Sequence, residues 1–235
     1  MWYDRDIDAV MKRTQNRAIP AGRVHPDEAL GFGIAMAIAS VLIMGIATNP
    51  VAAAVLAAAI LFYVFIYTMW LKRSTPQNIV IGGAAGSFPP MIGWAAVTGD
   101  VTLMPVVLFG IIFLWTPPHF WALSLLIKDE YKNAKVPMLP VVKGEKVTRL
   151  NVLVYTFALA AFTFIPVALG YSGIIYFAAA VVLNSIFIIK SLRLYSYRNN
   201  VEAKKTFLYS ISYLFLLYTA LVADKFLPWH FTFSI

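Results

Sequence analysis

The chain contains no cysteine. Disulfide frameworks, thiolate zinc sites and iron–sulfur clusters are therefore excluded. Charge is also scarce. Only 13 % of the residues are charged, where soluble domains carry about 25 %. Acidic residues are the scarcest, 11 against 19 Lys and Arg, which leaves a net charge of +8. Apolar residues fill the chain instead, at 60 % of all 235 positions. The mean hydropathy is +0.75. A soluble enzyme, a disordered chain and a nucleic-acid-binding module are ruled out by this balance, and a lipid bilayer is required. In a membrane protein the basic excess points first to cytoplasmic loops, and only then to an anionic ligand.

Charge-free runs mark the spans. Ala29 to Leu71 is one run of 43 residues with a turn-like Thr48-Asn49-Pro50 inside it. Ser74 to Gly99 and Val101 to Ile127 follow. Leu150 to Ile189 is split near Tyr171-Ser172-Gly173, and Thr206 to Ala223 is the last. A spanning helix needs about 20 apolar residues, so the two long runs hold two helices each. The expected fold is an all-α bundle of seven transmembrane helices, since lipid cannot satisfy exposed backbone groups. With seven spans, 18 of the 19 basic residues fall on one side and only Lys225 on the other. The N-terminus and the basic loops are therefore expected in the cytoplasm. The first 28 residues are polar and show no apolar core before a cleavage site, so a secretory signal is not expected.

The acidic residues gather at two places on that same side. Asp4, Asp6 and Asp8 open the chain. On a helix, Asp4 and Asp8 lie one turn apart on one face. Like charges there call for a cation between them, and Mg²⁺ suits one or two carboxylates plus phosphate oxygens. The ordinary reading, a solvated helix with Arg5 compensating, stands beside it. Asp129-Glu130 begins the loop after the fourth span. It is ordinary loop charge by itself, and a second half of a magnesium–diphosphate cradle if it meets the first cluster.

The fourth span holds Trp115-Thr116-Pro117-Pro118-His119-Phe120-Trp121. Two successive prolines are expected to interrupt a regular helix. His119 lies nine residues before Lys128, about 13 Å below the charged end. An ionisable side chain at that depth reads as functional. Histidine is also a common haem ligand, and Trp115 and Trp121 would suit a flat porphyrin or a prenyl chain. The alternative is a neutral histidine bonded to a carbonyl freed at the prolines. Gly82-Gly83 with Gly86 forms a small face for close helix packing. His25 and His230 read as ordinary surface histidines.

Four stretches carry a resemblance to a known family. They are Met-Trp-Tyr-Asp-Arg-Asp-Ile-Asp at 1–8, Tyr-Thr-Met-Trp-Leu-Lys-Arg at 67–73, Trp-Thr-Pro-Pro-His-Phe-Trp-Ala-Leu at 115–123 and Lys-Asp-Glu-Tyr-Lys-Asn-Ala-Lys-Val-Pro-Met-Leu-Pro at 128–140. The chain resembles the intramembrane aromatic prenyltransferases, and within them the haem branch, the protoheme IX farnesyltransferases. The resemblance implies farnesyl transfer from farnesyl diphosphate to a vinyl group of haem b, with water addition, giving haem O. Haem b is a substrate here, and Mg²⁺ is the implied cofactor. The two acidic motifs of the family fall on Asp4 and Asp8 and on Asp129, with Asn133 at the last position of the second. Glu130 is an added metal candidate. The same match implies Arg13, Arg17, Tyr67, Lys72 and Arg73 as diphosphate contacts and His119 as the haem-side residue. It also implies a single domain over 1–235 that lacks the first two of nine helices, a prokaryotic cell membrane, and a haem A synthase or oxidase-assembly factor as protein partner.

Other classes fit less well. A retinal pump needs a lysine inside its last helix, and Thr206 to Ala223 has none. A transporter would show matching interrupted helices in two halves, which are not visible. A non-catalytic haem-binding subunit would want paired histidines at membrane depth, and only His119 qualifies.

Overall fold

A computed structural model describes residues 1–226, so His230 lies outside the described residues. A short helix, α1 (Arg5–Val10), is followed by turns up to helix α2 (Pro26–Ala47), whose charges, Asp27 and Glu28, lie in its first turn. Next come α3 (Pro50–Ser74), α4 (Asn78–Thr98) and α5 (Leu103–Leu126). Two short helices, α6 (Lys128–Asn133) and α7 (Leu139–Val142), fill the loop after α5. The chain then continues through α8 (Gly144–Ala168), α9 (Ile174–Tyr197) and α10 (Asn200–Lys225). Among the described residues seven helices are long and apolar enough to cross a membrane. The protein is an integral, multi-pass membrane protein.

Proline and asparagine set the boundaries. Pro26 and Pro50 occupy first helical turns, where the missing N–H is no loss. Asn49 caps α3 by accepting from Ala52 N at 3.0 Å, and its amide donates to Ala95 O of α4 at 2.7 Å. Asn199 caps α10 in the same way, accepting from Glu202 N at 2.8 Å. Asp224, near the far end of α10, accepts from the backbone N–H groups of Gly173, Ile175 and Tyr176. One buried carboxylate thus serves the orphan donors that open α9.

The spans are not uniform. In α3 the backbone changes to a π-helix over Phe62–Leu71. In α4 the helical pattern is interrupted at Phe88, before Pro89-Pro90, although Phe88 keeps helical dihedrals. In α8 it turns at Thr163-Phe164 before Pro166. The groups freed at this last turn find partners. Tyr176 donates to Thr163 O at 2.9 Å, and Asn184 donates to Thr163 Oγ1 at 2.8 Å. Pro117-Pro118 behaves otherwise than expected, because α5 runs helically through both. Tertiary packing explains the difference. Both prolines are buried, and packed neighbouring helices let a span tolerate proline.

Helix α5 is the hub, packed against α4, α8 and α10. Helix α2 sits at the opposite extreme, packing against α3 with no buried residue. The apolar core has two parts. One, near the charged end, joins Ile7, Met11, Trp121, Tyr131, Met138 and Leu194. The other joins Ile111, Leu159, Tyr176, Phe187, Tyr213 and Leu217 deeper among the spans. Large apolar side chains such as Phe32, Ile46, Val97 and Phe215 face outward, as lipid contact requires.

Candidate active site

The first core part packs the N-terminal segment and the helix of the second acidic stretch into one cluster. Ile7 and Met11 of the N-terminal segment and Tyr131 of α6 share that cluster. Asp4 and Asp8 lie on the inward side of α1 and are only 7 % and 3 % exposed. Buried carboxylates need charge partners. Lys72 donates to Asp4 Oδ2 at 2.5 Å, and Arg73 stands 3.7 Å from Asp4 Oδ1. Arg17 bonds both oxygens of Asp8, at 3.0 and 3.1 Å. Asp6 points outward and takes two bonds of 2.7 Å from Arg73. Those bonds hold its carboxyl well below the usual range, at about 2. Arg73 also donates to Tyr3 O and lies over the Tyr3 ring.

The π-helix matters here. Tyr67 and Lys72 are five residues apart, close to one turn of a π-helix and well off one turn of an α-helix. Tyr67 lies within electrostatic reach of Asp4 and Tyr131. Its ring rests where a side chain on Gly82 would be, since a Cβ there would come within 2.1 Å of Tyr67 Cδ2. Gly83 gives the same close approach to Thr116 of α5, at 2.9 Å. The small face thus seats α3 and α5 against α4. Gly86 has open space beside it.

That open space belongs to an apolar cavity of about 510 Å³ between α3, α4 and α5. Tyr67, Gly82, Gly86, Phe88, Trp115 and Phe120 are among its walls. Tyr67 joins its wall to the charged cluster, and two other walls, Trp115 and Phe120, pack against His119. The His119 ring stacks on Trp115 with centroids 4.3 Å apart, and Phe207 of α10 lies 4.9 Å away. Its Nδ1 is 2.7 Å from Ser210 Oγ.

The remaining sequence candidates divide. Arg13 is exposed and acts electrostatically on Tyr131. Asp129 is exposed and forms no salt bridge among the described residues. Glu130 turns inward, with Oε2 buried and without a hydrogen-bond partner. Trp121 is not brought to His119. It is fully buried against Tyr155 and belongs to the charged-end core. Sequence reasoning missed Tyr131, whose hydroxyl is pushed up by burial, and Ser210 and Phe207, which come from a helix about 90 residues away. It also missed Glu145, which accepts from Lys128 and Arg149 and fastens the start of α6. The bond to Glu145 raises the Lys128 pKa. Only Glu145 carries a local signal, its i,i+4 spacing to Arg149.

Two buried carboxylates one turn apart, held by three cations, and an apolar cavity that shares Tyr67 with them suit an anionic head and a hydrocarbon tail. The UbiA prenyltransferase family profile matches residues 1–220. The chain belongs to the UbiA prenyltransferase family. A protoheme IX farnesyltransferase of Granulibacter bethesdensis is 57 % identical over 235 residues, covering 96 % of this chain and 74 % of that protein. One from Acidiphilium cryptum is 58 % identical over 233 residues, covering 95 % and 74 %. A solved structure of digeranylgeranylglyceryl phosphate synthase matches with a TM-score of 0.78 at 19 % identity, over 95 % of this chain and 77 % of that one. An apo UbiA homolog from Aeropyrum pernix K1 matches with a TM-score of 0.67 at 17 % identity, over 95 % and 82 %. At those identities the structural matches speak for the fold alone. UbiA prenyltransferases generally use a divalent metal for the diphosphate substrate. The residues here fit one. Asp4 Oδ1 is buried without a hydrogen-bond partner, and Asp8 lies one turn on. Among the described residues no three His, Asp or Glu side chains gather closely enough to hold a metal ion.

Proposed function

We propose that this UbiA prenyltransferase transfers a farnesyl group from farnesyl diphosphate to a vinyl group of haem b, with addition of water, to give haem O. The observation that carries the reading is the continuity of the site. Tyr67, within electrostatic reach of Asp4 in the charged cluster of Asp4, Asp8, Lys72 and Arg17, is also a wall of an apolar cavity, and another wall, Trp115, is stacked on His119. The 51–58 % identity to proteins named protoheme IX farnesyltransferase supports the haem branch.

In this reading Lys72, Arg73 and Arg17 bind the diphosphate. Asp4 and Asp8 hold Mg²⁺, with Glu130 or Asp129 at the second motif. When bound, the ion neutralises charge on the leaving group. The C1–O bond of farnesyl diphosphate breaks and the electron pair leaves with diphosphate. The basic side chains stabilise that developing charge. The vinyl π electrons of haem form the new C–C bond to C1. Water adds to the resulting cation beside the porphyrin ring, and its proton is released. Tyr67, Phe88, Trp115 and Phe120 keep other water from the allylic cation. Arg13 contributes to the field at Tyr131. The basic end of the bundle faces the cytoplasm of a prokaryotic cell, and a haem A synthase or oxidase-assembly factor would receive the product.

The test is direct. Membranes carrying the full chain are given haem b, farnesyl diphosphate and Mg²⁺, and extracted haems are weighed by mass spectrometry. A magnesium-dependent gain of farnesyl plus water is expected. Its absence, with folded protein present, would overturn the reading.

A further inference from the structure

The hydrogen bonds around Ser210 decide which nitrogen of His119 carries the proton. Ser210 Oγ lies 2.6 Å from the carbonyl oxygen of Phe207, one turn back on α10. Two oxygens that close need a proton between them, and a carbonyl has none to give. The single hydroxyl proton of Ser210 is therefore committed to Phe207 O. The same Oγ lies 2.7 Å from His119 Nδ1, so it accepts there, and Nδ1 is the protonated nitrogen. The neutral ring then has its free lone pair on Nε2. Nε2 makes no hydrogen bond among the described residues and is not among the buried unpartnered atoms.

The ring is also fixed in orientation. Trp115 stacks on one face with an interplanar angle of 18°, and Phe207 packs at 30°. Trp115 Nε1 donates to Ser210 O at 2.8 Å, so the tryptophan and the serine are tied to each other as well as to the histidine. This is the arrangement by which a second protein group sets the tautomer of a metal-binding histidine.

We infer that Ser210 is a positioning residue that holds His119 as the Nδ1–H tautomer and thereby presents Nε2 as a ligand to the iron of the haem substrate. The inference rests on the haem reading of the site given above. It assigns a role to α10, which carries none of the acidic, basic or proline-histidine motifs.

Two measurements test it on the full chain in detergent. Histidine labelled with ¹⁵N reports the tautomer without any substrate, and the His119→Gln variant identifies the His119 signals. Wild type is expected to show a proton-bearing Nδ1 and a bare Nε2, Ser210→Ala to lose that pattern, and Ser210→Thr to keep it. A titration with ferric haem then reads the iron spectrum and affinity. Ser210→Ala is expected to bind haem about 10- to 100-fold more weakly, with an altered iron spectrum and unchanged farnesyl diphosphate binding, and Ser210→Thr to restore both. A wild-type Nε2 that bears the proton, or a Ser210→Ala variant with unaltered tautomer and haem spectrum, would overturn the inference. The expected tautomer in a wild-type chain that takes up no haem would overturn the haem reading, and the iron-facing role with it.

Discussion

Asp4 and Asp8 are the least exposed carboxylates of the N-terminal segment, while Asp6 between them faces solvent. This alternation separates the two proposed metal ligands from a surface ion pair. Asp4→Asn or Asp8→Asn is expected to lower turnover by at least 10²-fold, an expected scale for losing a charge that stabilises the transition state, while the protein still inserts and folds. Normal turnover in both would remove them from the site. Asp6→Asn is expected to cost under about 1 kcal/mol, because its pair with Arg73 is solvent-exposed. The pH dependence follows from its lowered pKa. The contribution is complete above 3.8, the ordinary aspartate value, and is lost as pH falls through about 2. Thermal melts of wild type and Asp6→Asn should therefore converge in strong acid. At the other end of the cavity, His119→Ala is expected to weaken haem binding while sparing farnesyl diphosphate binding, each read by titration. Equal effects on both would reduce the residue to packing.

At the scale of elements, helices meet through absent side chains. A methyl on Gly82 would overlap the Tyr67 ring. Gly82→Ala is expected to force α3 from α4 at a cost of about 1–3 kcal/mol, whereas Gly93→Ala, with open space around it, should leave the melting temperature near wild type. Asp224 offers the opposite case, a side chain that cannot be spared. Asp224→Ala strands buried donors of Gly173, Ile175 and Tyr176. A loss of at least about 1–3 kcal/mol is expected, read as a lower melting temperature in detergent. An unchanged melt would mean that water serves those groups equally well.

The whole molecule was legible in outline from its charge-free runs. They located all seven spanning helices found among the described residues. Helix ends were harder to place. The run from Leu150 misses the start of α8 at Gly144, because hydropathy marks the hydrocarbon layer while Glu145 and Arg149 lie in helix beyond it. Proline was misleading at 117–118, where packing outweighs local preference. Within the site, the acidic spacing and the Lys72-Arg73 edge could be read locally. Ser210, Phe207 and Tyr131 could not, because only tertiary packing brings them to their partners.

The bond between Lys72 and Asp4 spans 68 positions and, under the proposed function, would link substrate binding to metal binding. Each side chain is the other's counter-charge, and both are largely buried. A diphosphate arriving alone would draw off Lys72 and leave the Asp4 carboxylate only the more distant Arg73. A divalent ion arriving alone would draw off Asp4 and strand the ammonium. Arriving together, they replace one ion pair with two. The two ligands should therefore bind cooperatively, each tightening the other by the same factor. Thermal shifts with both ligands should exceed the sum of the separate shifts, and Lys72→Met should abolish the excess.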